Sequence, residues 1–319
     1  MKAAYYTENG GPEVLTYGEI DDPVVKANTV LIRTVAISIE GGDLLNRLVT
    51  PPKWTPYVGG YQAAGVVEAT GAQVTRFKVG QPVIGFNRSG SHAELFAVPE
   101  HFAYPVPEGM DLAIASTIPV AFGTASDSLF EFGRLQPGET VLIQGAAGGV
   151  GLAAVQLAAQ AGAMVIGTAS GQDRLDRLTA FGMHHGIDYR TQDIAERTKE
   201  ITGGAGADLV IDLAGGKSIK ALIDALRYRG RYAVVGASSD VPSFGFFELI
   251  RKSMTTFGIS FGSEMHTPRA HTLLASLARR IAQGQLTMPI EREFALSDAS
   301  AAHEFVANGH PFGRVLLRP

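Results

Sequence analysis

The sequence predicts an α/β protein in two parts: a β-rich N-terminal region and a doubly wound parallel sheet, with the last 50 or so residues returning to the first part. Three observations predict it. Short β-branched runs punctuated by Gly, Pro, Asn and Asp fill residues 1 to about 115. From about Ile118 strand-like and helix-like segments alternate, the pattern of parallel strands joined by crossover helices. At the first crossover, residues 139–168 read ETVLIQGAAGGVGLAAVQLAAQAGAMVIGT: an apolar run, a glycine cluster, an alanine-rich segment without Pro, and a second apolar run. A chain of 319 residues is long for one domain, which agrees with a division in two.

The N-terminal strands are expected at Lys2 to Tyr6, Val14 to Ile20, Thr29 to Ser38, Gly65 to Ala69, Pro82 to Phe86 and His92 to Val98. Closely spaced strands without long helical patterns suggest a partly closed barrel or sandwich. Residues 40–60 carry Gly41-Gly42, Pro51-Pro52, Trp54, Pro56 and Gly59-Gly60, and read as an irregular loop that either lines a site or is a surface excursion around a buried Trp54. Beyond the central unit the pattern predicts helices at Gln172 to Phe181, Gln192 to Thr202, Lys217 to Tyr228 and Phe246 to Lys252. The intervening strands are Gly186 to Tyr189, Asp208 to Leu213, Arg231 to Gly236 and Thr255 to Phe261, which makes six with the two of the central unit. Amphipathic helices at Thr267 to Gln283 and Ser297 to Asn308 and a strand at Gly313 to Leu317 close the chain. The domains are expected at 1–117, 118–262 and 263–319, the last rejoining the first because a terminal strand needs a partner sheet.

The central unit predicts a pyrophosphate site. Gly145 permits a sharp turn out of the strand, Gly148 and Gly149 let N–H groups approach phosphate oxygens, and Gly151 lets the helix pack closely. The helix then presents free N–H groups and a positive dipole end to the anion. The spacing Gly145-x-x-Gly148-x-x-Gly151 has Ala147 where the commonest fingerprint has its second glycine, so the strand–helix–strand context carries the assignment. Gln156 and Gln160 argue against a membrane span, and Gly151-Leu152-Ala153 lacks the Gly-Lys-Ser/Thr of a nucleoside-triphosphatase loop.

At the end of the second strand, where an acidic residue would bind both ribose hydroxyls, the sequence has Thr168-Ala169-Ser170-Gly171. Arg174 follows in the next helical turn, and Tyr189-Arg190 ends the neighbouring strand. A hydroxyl, a guanidinium and a phenol favour a 2′-phosphate, hence NADPH over NADH; the alternative is a solvated Arg174 paired with Asp173 or Asp176. A net charge of −4 gives no attraction to nucleic acid or anionic lipid, and the N-terminus has no signal-peptide pattern, so a cytoplasmic protein with a small ligand is expected. Zero cysteines remove thiolate metal sites and Cys nucleophiles. None of the eight histidines falls in a His-x-x-x-His pattern on a helix, so each reads as a surface or capped residue and no metal is expected. Gly258-Ile259-Ser260-Phe261-Gly262 matches a nucleophile elbow in spelling, but Ser260 is expected within an apolar strand and not at a strand-to-helix turn.

The segments GAAGGVGLAAVQLA, GTASGQDR, DYR, VAFGTA, AISIEGGDLLNR and GGYQAAGVV together resemble the zinc-free quinone oxidoreductases of the medium-chain dehydrogenase/reductase superfamily, over essentially the whole chain. The resemblance implies a GroES-like catalytic domain, a Rossmann domain, NADPH, a cleft between them and a homodimer. Ser38 and Gly60-Tyr61-Gln62 stand where zinc-dependent relatives hold their metal. Carried over, Gly145, Ala146, Ala147, Gly148, Gly149 and Val150 would meet the pyrophosphate. Ser170, Arg174 and Tyr189 would surround the 2′-phosphate, and Thr124, Ala237 and Ser238 would lie along the nicotinamide. Glu40 replaces a usual Asn, and the tyrosines often found after Asp43 are missing. A quinone or other conjugated carbonyl is the expected acceptor, held by Glu40, Asp43, Tyr57, Tyr61 and the Ala237-Ser238 loop. An enoyl thioester of the polyketide type and a non-catalytic NADPH-binding role are the alternatives. Tyr61 is the better proton donor, and Glu40 is expected to point to solvent.

Overall fold

The structure, a computed structural model, describes residues 1–236 and 245–319. It divides into two compact units, Met1–Val120 with Gly262–Pro319, and Ala121–Phe261.

The first unit begins with β1 (Lys2–Tyr6), β2 (Thr16–Glu19) and β3 (Thr29–Ser38). Helix α1 (Gly41–Val49) follows, then β4 (Tyr57–Val58), β5 (Gln62–Thr70), β6 (Pro82–Phe86), β7 (Leu95–Pro99) and β8 (Ala103–Pro105). A small antiparallel sheet has the order β2-β1-β4. β3 is the hub of the larger one, pairing antiparallel with both β5 and β7. Eight of its ten residues are buried, because apolar neighbours cover both faces; only Arg33 and Val35 turn outward. Ile32, Ile37, Val67, Phe96 and Leu317 lie in the resulting core.

Residues 41–49 overturn the expectation of an irregular loop. Gly41-Gly42 suggests a break, but the Asp43 side chain accepts the Glu40 N–H at 2.8 Å and the Asp43 N–H bonds the Glu40 carbonyl at 3.0 Å, which starts a helix. Trp54, in contrast, is not buried; it is 58% exposed.

In the second unit β9 (Thr140–Gln144) leads through α2 (Gly149–Gln160) to β10 (Met164–Ala169), then α3 (Gln172–Thr179) and β11 (His185–Asp188). β12 (Ala207–Asp212), β13 (Leu226–Val234), α4 (Phe246–Lys252) and β14 (Thr255–Gly258) complete it. The sheet order is β11-β10-β9-β12-β13-β14, every pairing parallel. α2 is buried along its middle: every residue from Leu152 to Ala158 is buried, with the Gln156 amide donating to the Leu152 carbonyl at 3.1 Å. β14 stops at Gly258, so Ser260 lies past the strand end and not within it.

The chain returns to the first unit with β15 (Ile290–Ala295), α5 (Ala299–Gly309) and β16 (Arg314–Arg318). β16 pairs parallel with β15 and antiparallel with β3, so the last strand is stitched onto the hub.

Candidate active site and cofactor site

The glycine turn of the second unit is built by backbone geometry. Gly145 has φ +72, a conformation that L side chains rarely adopt, and its N–H points to the Thr168 hydroxyl at 3.3 Å. The Ala146 N–H bonds the Thr168 carbonyl at 3.0 Å, which locks the turn to the end of β10. α2 is capped by Gly148 without a side-chain partner, and its first intrahelical bond is Leu152 N–H to Gly148 carbonyl, 2.8 Å. The N–H groups of Gly149, Val150 and Gly151 thus have no intrahelical acceptor. A Cβ on Gly148 would meet only the Gly145 carbonyl oxygen, at 3.6 Å, so the space over the turn is open. A Cβ on Gly151 would run into the Gly145 carbonyl and the Ala146 backbone, so this glycine sets the approach of helix to turn. Open space, uncommitted N–H groups and the helix dipole fit a diphosphate. Ala147 is buried beside them.

At the ends of β10 and β11 the Arg174 guanidinium donates to both the Ser170 hydroxyl and the Ser170 carbonyl. It is turned back over its own helix N-terminus, toward Ser170. Arg190 joins it, a residue that the strand and helix patterns do not single out. Its Nη2 lies 2.7 Å from where a Cβ on Gly171 would stand, so a second guanidinium covers the start of α3. Asp188, the last residue of β11, holds it there: Oδ1 accepts the Arg190 N–H at 3.1 Å and lies 3.5 Å from Nε. The Arg190 and Gly171 backbone N–H groups, with the Arg190 charge, keep the Asp188 carboxyl below its usual range. The one available signal in the sequence is the charge pattern Asp188-Tyr189-Arg190, where a turn brings residues two apart together. Tyr189 is 40% exposed beside it. Thr124 is half-buried in the helix Ile118–Ser126, where its carbonyl accepts the Ser128 hydroxyl at 2.7 Å. Ala237 and Ser238 lie outside the described residues.

In the first unit the expected acceptor residues form a polar cluster, and Glu40 does not point to solvent. It is 3% exposed. Its Oε1 accepts the Ser38 hydroxyl at 3.0 Å and the Gln62 amide at 2.7 Å, and its Oε2 lies 2.5 Å from Arg314 Nη2. Burial raises the Glu40 carboxyl's pKa, and Arg314, Ser38 and Gln62 oppose that rise. Ser38 ends β3, Gln62 starts β5 and Arg314 starts β16, so one carboxylate ties three strands. Gln62 also accepts the Val120 N–H at 3.0 Å, which commits both ends of its amide. Ser38 and Gln62 are thus both spent on Glu40. Among the described residues no group of three or more His, Cys, Asp or Glu could hold a metal ion.

Asp43 is buried as well, its Oδ2 accepting the Glu40 N–H at 2.8 Å. Burial first, then the Glu40 charge, raises its pKa well above the carboxylate range. His92 and His303, expected as surface or capped residues, are each 1% exposed. Their rings meet edge to face at 5.0 Å; His303 Nδ1 contacts Arg47, and His92 Nε2 is 3.8 Å from Asp43 Oδ2. Burial beside Arg47 lowers both pKa values, that of His92 to about 3. Tyr61 packs over Gly42, where a Cβ would touch its hydroxyl, and that hydroxyl accepts the Asn46 amide at 2.6 Å. Burial, then Asp43 and Glu40, pushes its phenol pKa up, so it keeps its proton and can donate it in a hydrogen bond.

Residues 26–108 match the alcohol dehydrogenase GroES-like domain family and residues 149–276 the zinc-binding dehydrogenase family. This pair of domains defines a medium-chain dehydrogenase/reductase. A quinone oxidoreductase of Pseudomonas aeruginosa is 32% identical over 100% of this chain and 99% of its own length. The solved Escherichia coli quinone oxidoreductase complexed with NADPH superposes with a TM-score of 0.96 at 29% identity, covering 100% of both chains. A phenolphthiocerol/phthiocerol polyketide synthase of Mycobacterium tuberculosis is 31% identical over 97% of this chain, which spans only 14% of that protein. The chain belongs to the quinone oxidoreductase family of the medium-chain dehydrogenase/reductase superfamily.

Proposed function

We propose that this oxidoreductase uses NADPH to reduce a quinone or another conjugated carbonyl, and does so without zinc. The observation that carries the reading is the ribose end of the nucleotide site: two guanidinium groups, Arg174 and Arg190, stand at the ends of β10 and β11, and the carboxylate that ends β11, Asp188, is already bound to Arg190 and Gly171. NADPH supplies a hydride when bound. The chain's own residues bind its diphosphate through Gly145, Ala146, Ala147, Gly148, Gly149 and Val150, and its 2′-phosphate through Ser170, Arg174, Tyr189 and Arg190. Thr124 and the Ala237-Ser238 stretch are assigned to the nicotinamide end.

At the acceptor, negative charge develops on a carbonyl oxygen. With Ser38 and Gln62 spent on Glu40, Tyr61 is the residue that answers it: its hydroxyl oxygen is occupied by Asn46, so its own proton is aimed elsewhere. Glu40 and Asp43 support it as buried scaffold and carry no proton to the product. A conjugated thioester of the polyketide type is the second reading, favoured by the polyketide synthase match. The enzyme works as a homodimer in the cytoplasm, on small molecules and not on nucleic acid. Exposed Phe246, Phe247 and Ile250 on α4, next to the edge strand β14, support the dimer. No helix of the described residues is long and apolar enough to cross a membrane.

NADPH oxidation with and without 1,4-naphthoquinone tests the reading, with 1-octen-3-one as the enone. Acceptor-dependent oxidation is expected. Tight NADPH binding with no oxidation by either acceptor would leave a binding protein, and activity lost to a chelator and restored by zinc would overturn the metal-free reading.

A further inference from the structure

The first unit carries a groove of about 1020 Å³ whose lining includes Tyr57 but not Glu40, Asp43 or Tyr61. Its walls include Tyr5, Trp54, Tyr57 and Phe96, and its rim Lys53 and Arg88. A space of this size is at the upper end of the range for small-molecule sites. Trp54 is the chain's single tryptophan, and it is 58% exposed. Its ring gives the groove an aromatic wall that a ligand can reach.

The wall is held in place by the backbone. Tyr57 is in β4 and pairs with Tyr6 of β1, which is 3% exposed. The Tyr6 and Tyr57 rings are 5.2 Å apart and the Tyr57 and Trp54 rings 5.3 Å apart, so Trp54 leans on a ladder anchored in the fold. A preset aromatic surface costs little ordering entropy when a flat molecule stacks on it. The charges that line the groove balance: Lys53 and Arg88 against Glu19 and Asp21, while the Met1 amino group that also lines it is paired with Asp22 at 2.7 Å. A net anion or cation gains nothing there. An uncharged ring system with carbonyl or hydroxyl oxygens at its edge gains stacking, and hydrogen bonds from the Lys53 and Arg88 heads.

We infer that this groove is a binding site for planar, uncharged aromatic molecules bearing peripheral oxygens, walled by Trp54 and Tyr57. Its ligand need not be the acceptor that the enzyme reduces, and binding requires no NADPH. Trp54 reports on it directly, because quinones quench indole fluorescence on contact. In the NADPH-free full-length chain, 9,10-phenanthrenequinone is expected to quench Trp54 saturably. The dissociation constant should rise about three- to tenfold in Tyr5→Ala and in Arg88→Ala, the loss expected for one stacking or polar partner. Should Tyr5→Ala fail to fold, Arg88→Ala, on an exposed loop, carries the test alone. Quenching that rises linearly without saturating, or saturable quenching that Arg88→Ala leaves unchanged, overturns the site. Tighter binding of anthraquinone-2-sulfonate than of the uncharged quinone overturns the ligand class.

Discussion

The glycine turn after β9 and the polar cluster around Glu40 are both sites of close contact, and they are made in opposite ways. The turn is written in consecutive residues: the left-handed Gly145, the open face over Gly148 and the crowded Gly151 follow from the absence of side chains within seven positions. The cluster is assembled from Ser38, Glu40, Asp43, Arg47, Gln62, His92, His303 and Arg314, drawn from both ends of the chain. Backbone conformation built the first and burial of charge the second. A binding surface made of main-chain groups tolerates changes in its neighbours, whereas a compensated buried charge depends on every partner.

That contrast can be broken by experiment. The largest effect is expected in the cluster: Arg314→Leu leaves the Glu40 carboxylate buried without its counter-charge and should cost about 3–5 kcal/mol in urea unfolding. A loss below about 1 kcal/mol would mean that Glu40 is held by Ser38 and Gln62 alone. At the nucleotide site, Arg174→Ala removes charge-assisted hydrogen bonds worth about 1.5–3 kcal/mol, a weakening of NADPH by roughly ten- to hundredfold with NADH unchanged. Arg190→Ala should weaken NADPH by less, because Asp188 already shares its charge. Equal losses for both cofactors in titration calorimetry would make these arginines structural.

Gly151→Ala should cost about 1–3 kcal/mol of stability, since its Cβ meets backbone that cannot move aside. It should weaken both cofactors alike, which separates turn geometry from 2′-phosphate recognition. The smallest effect is with pH. His92 and His303 have folded pKa values below the unfolded value of about 6.5, so their contribution is fully present above that pH and is lost as pH falls below it, for His92 down to about 3. Each can cost at most about 1.4 kcal/mol per pH unit. The raised carboxyls of Asp43 and Glu40 act in the opposite sense and mask part of the slope. His303→Gln isolates the histidine share: unfolding free energy measured from pH 7 to pH 4.5 should fall less steeply in the variant, and parallel curves would show that His303 stays uncharged throughout.

The parallel sheet, its crossover helices and the glycine turn were legible because each rests on local periodicity or on glycine conformation. β1, β3 and β6 fall where their β-branched runs predict them. α1 was hidden because Gly41-Gly42 reads as a break; the signal that contradicts it is Asp43 capping the Glu40 N–H, and an acidic residue looks the same in the sequence whether it caps or is solvated. Arg190 was visible as a residue but not as a partner, since only the turn after β11 folds its head back over Gly171.

By itself the sequence determined the class of fold and the conformation of the glycine turn, since a strand, a helix start and a left-handed glycine are properties of neighbours along the chain. Only the tertiary structure decided the states of Glu40, Asp43, His92 and His303. Whether such a group is exposed, ionised or paired depends on the dielectric around it and on the charge beside it. For Glu40 that charge is Arg314, brought from the far end of the chain when β16 pairs with β3.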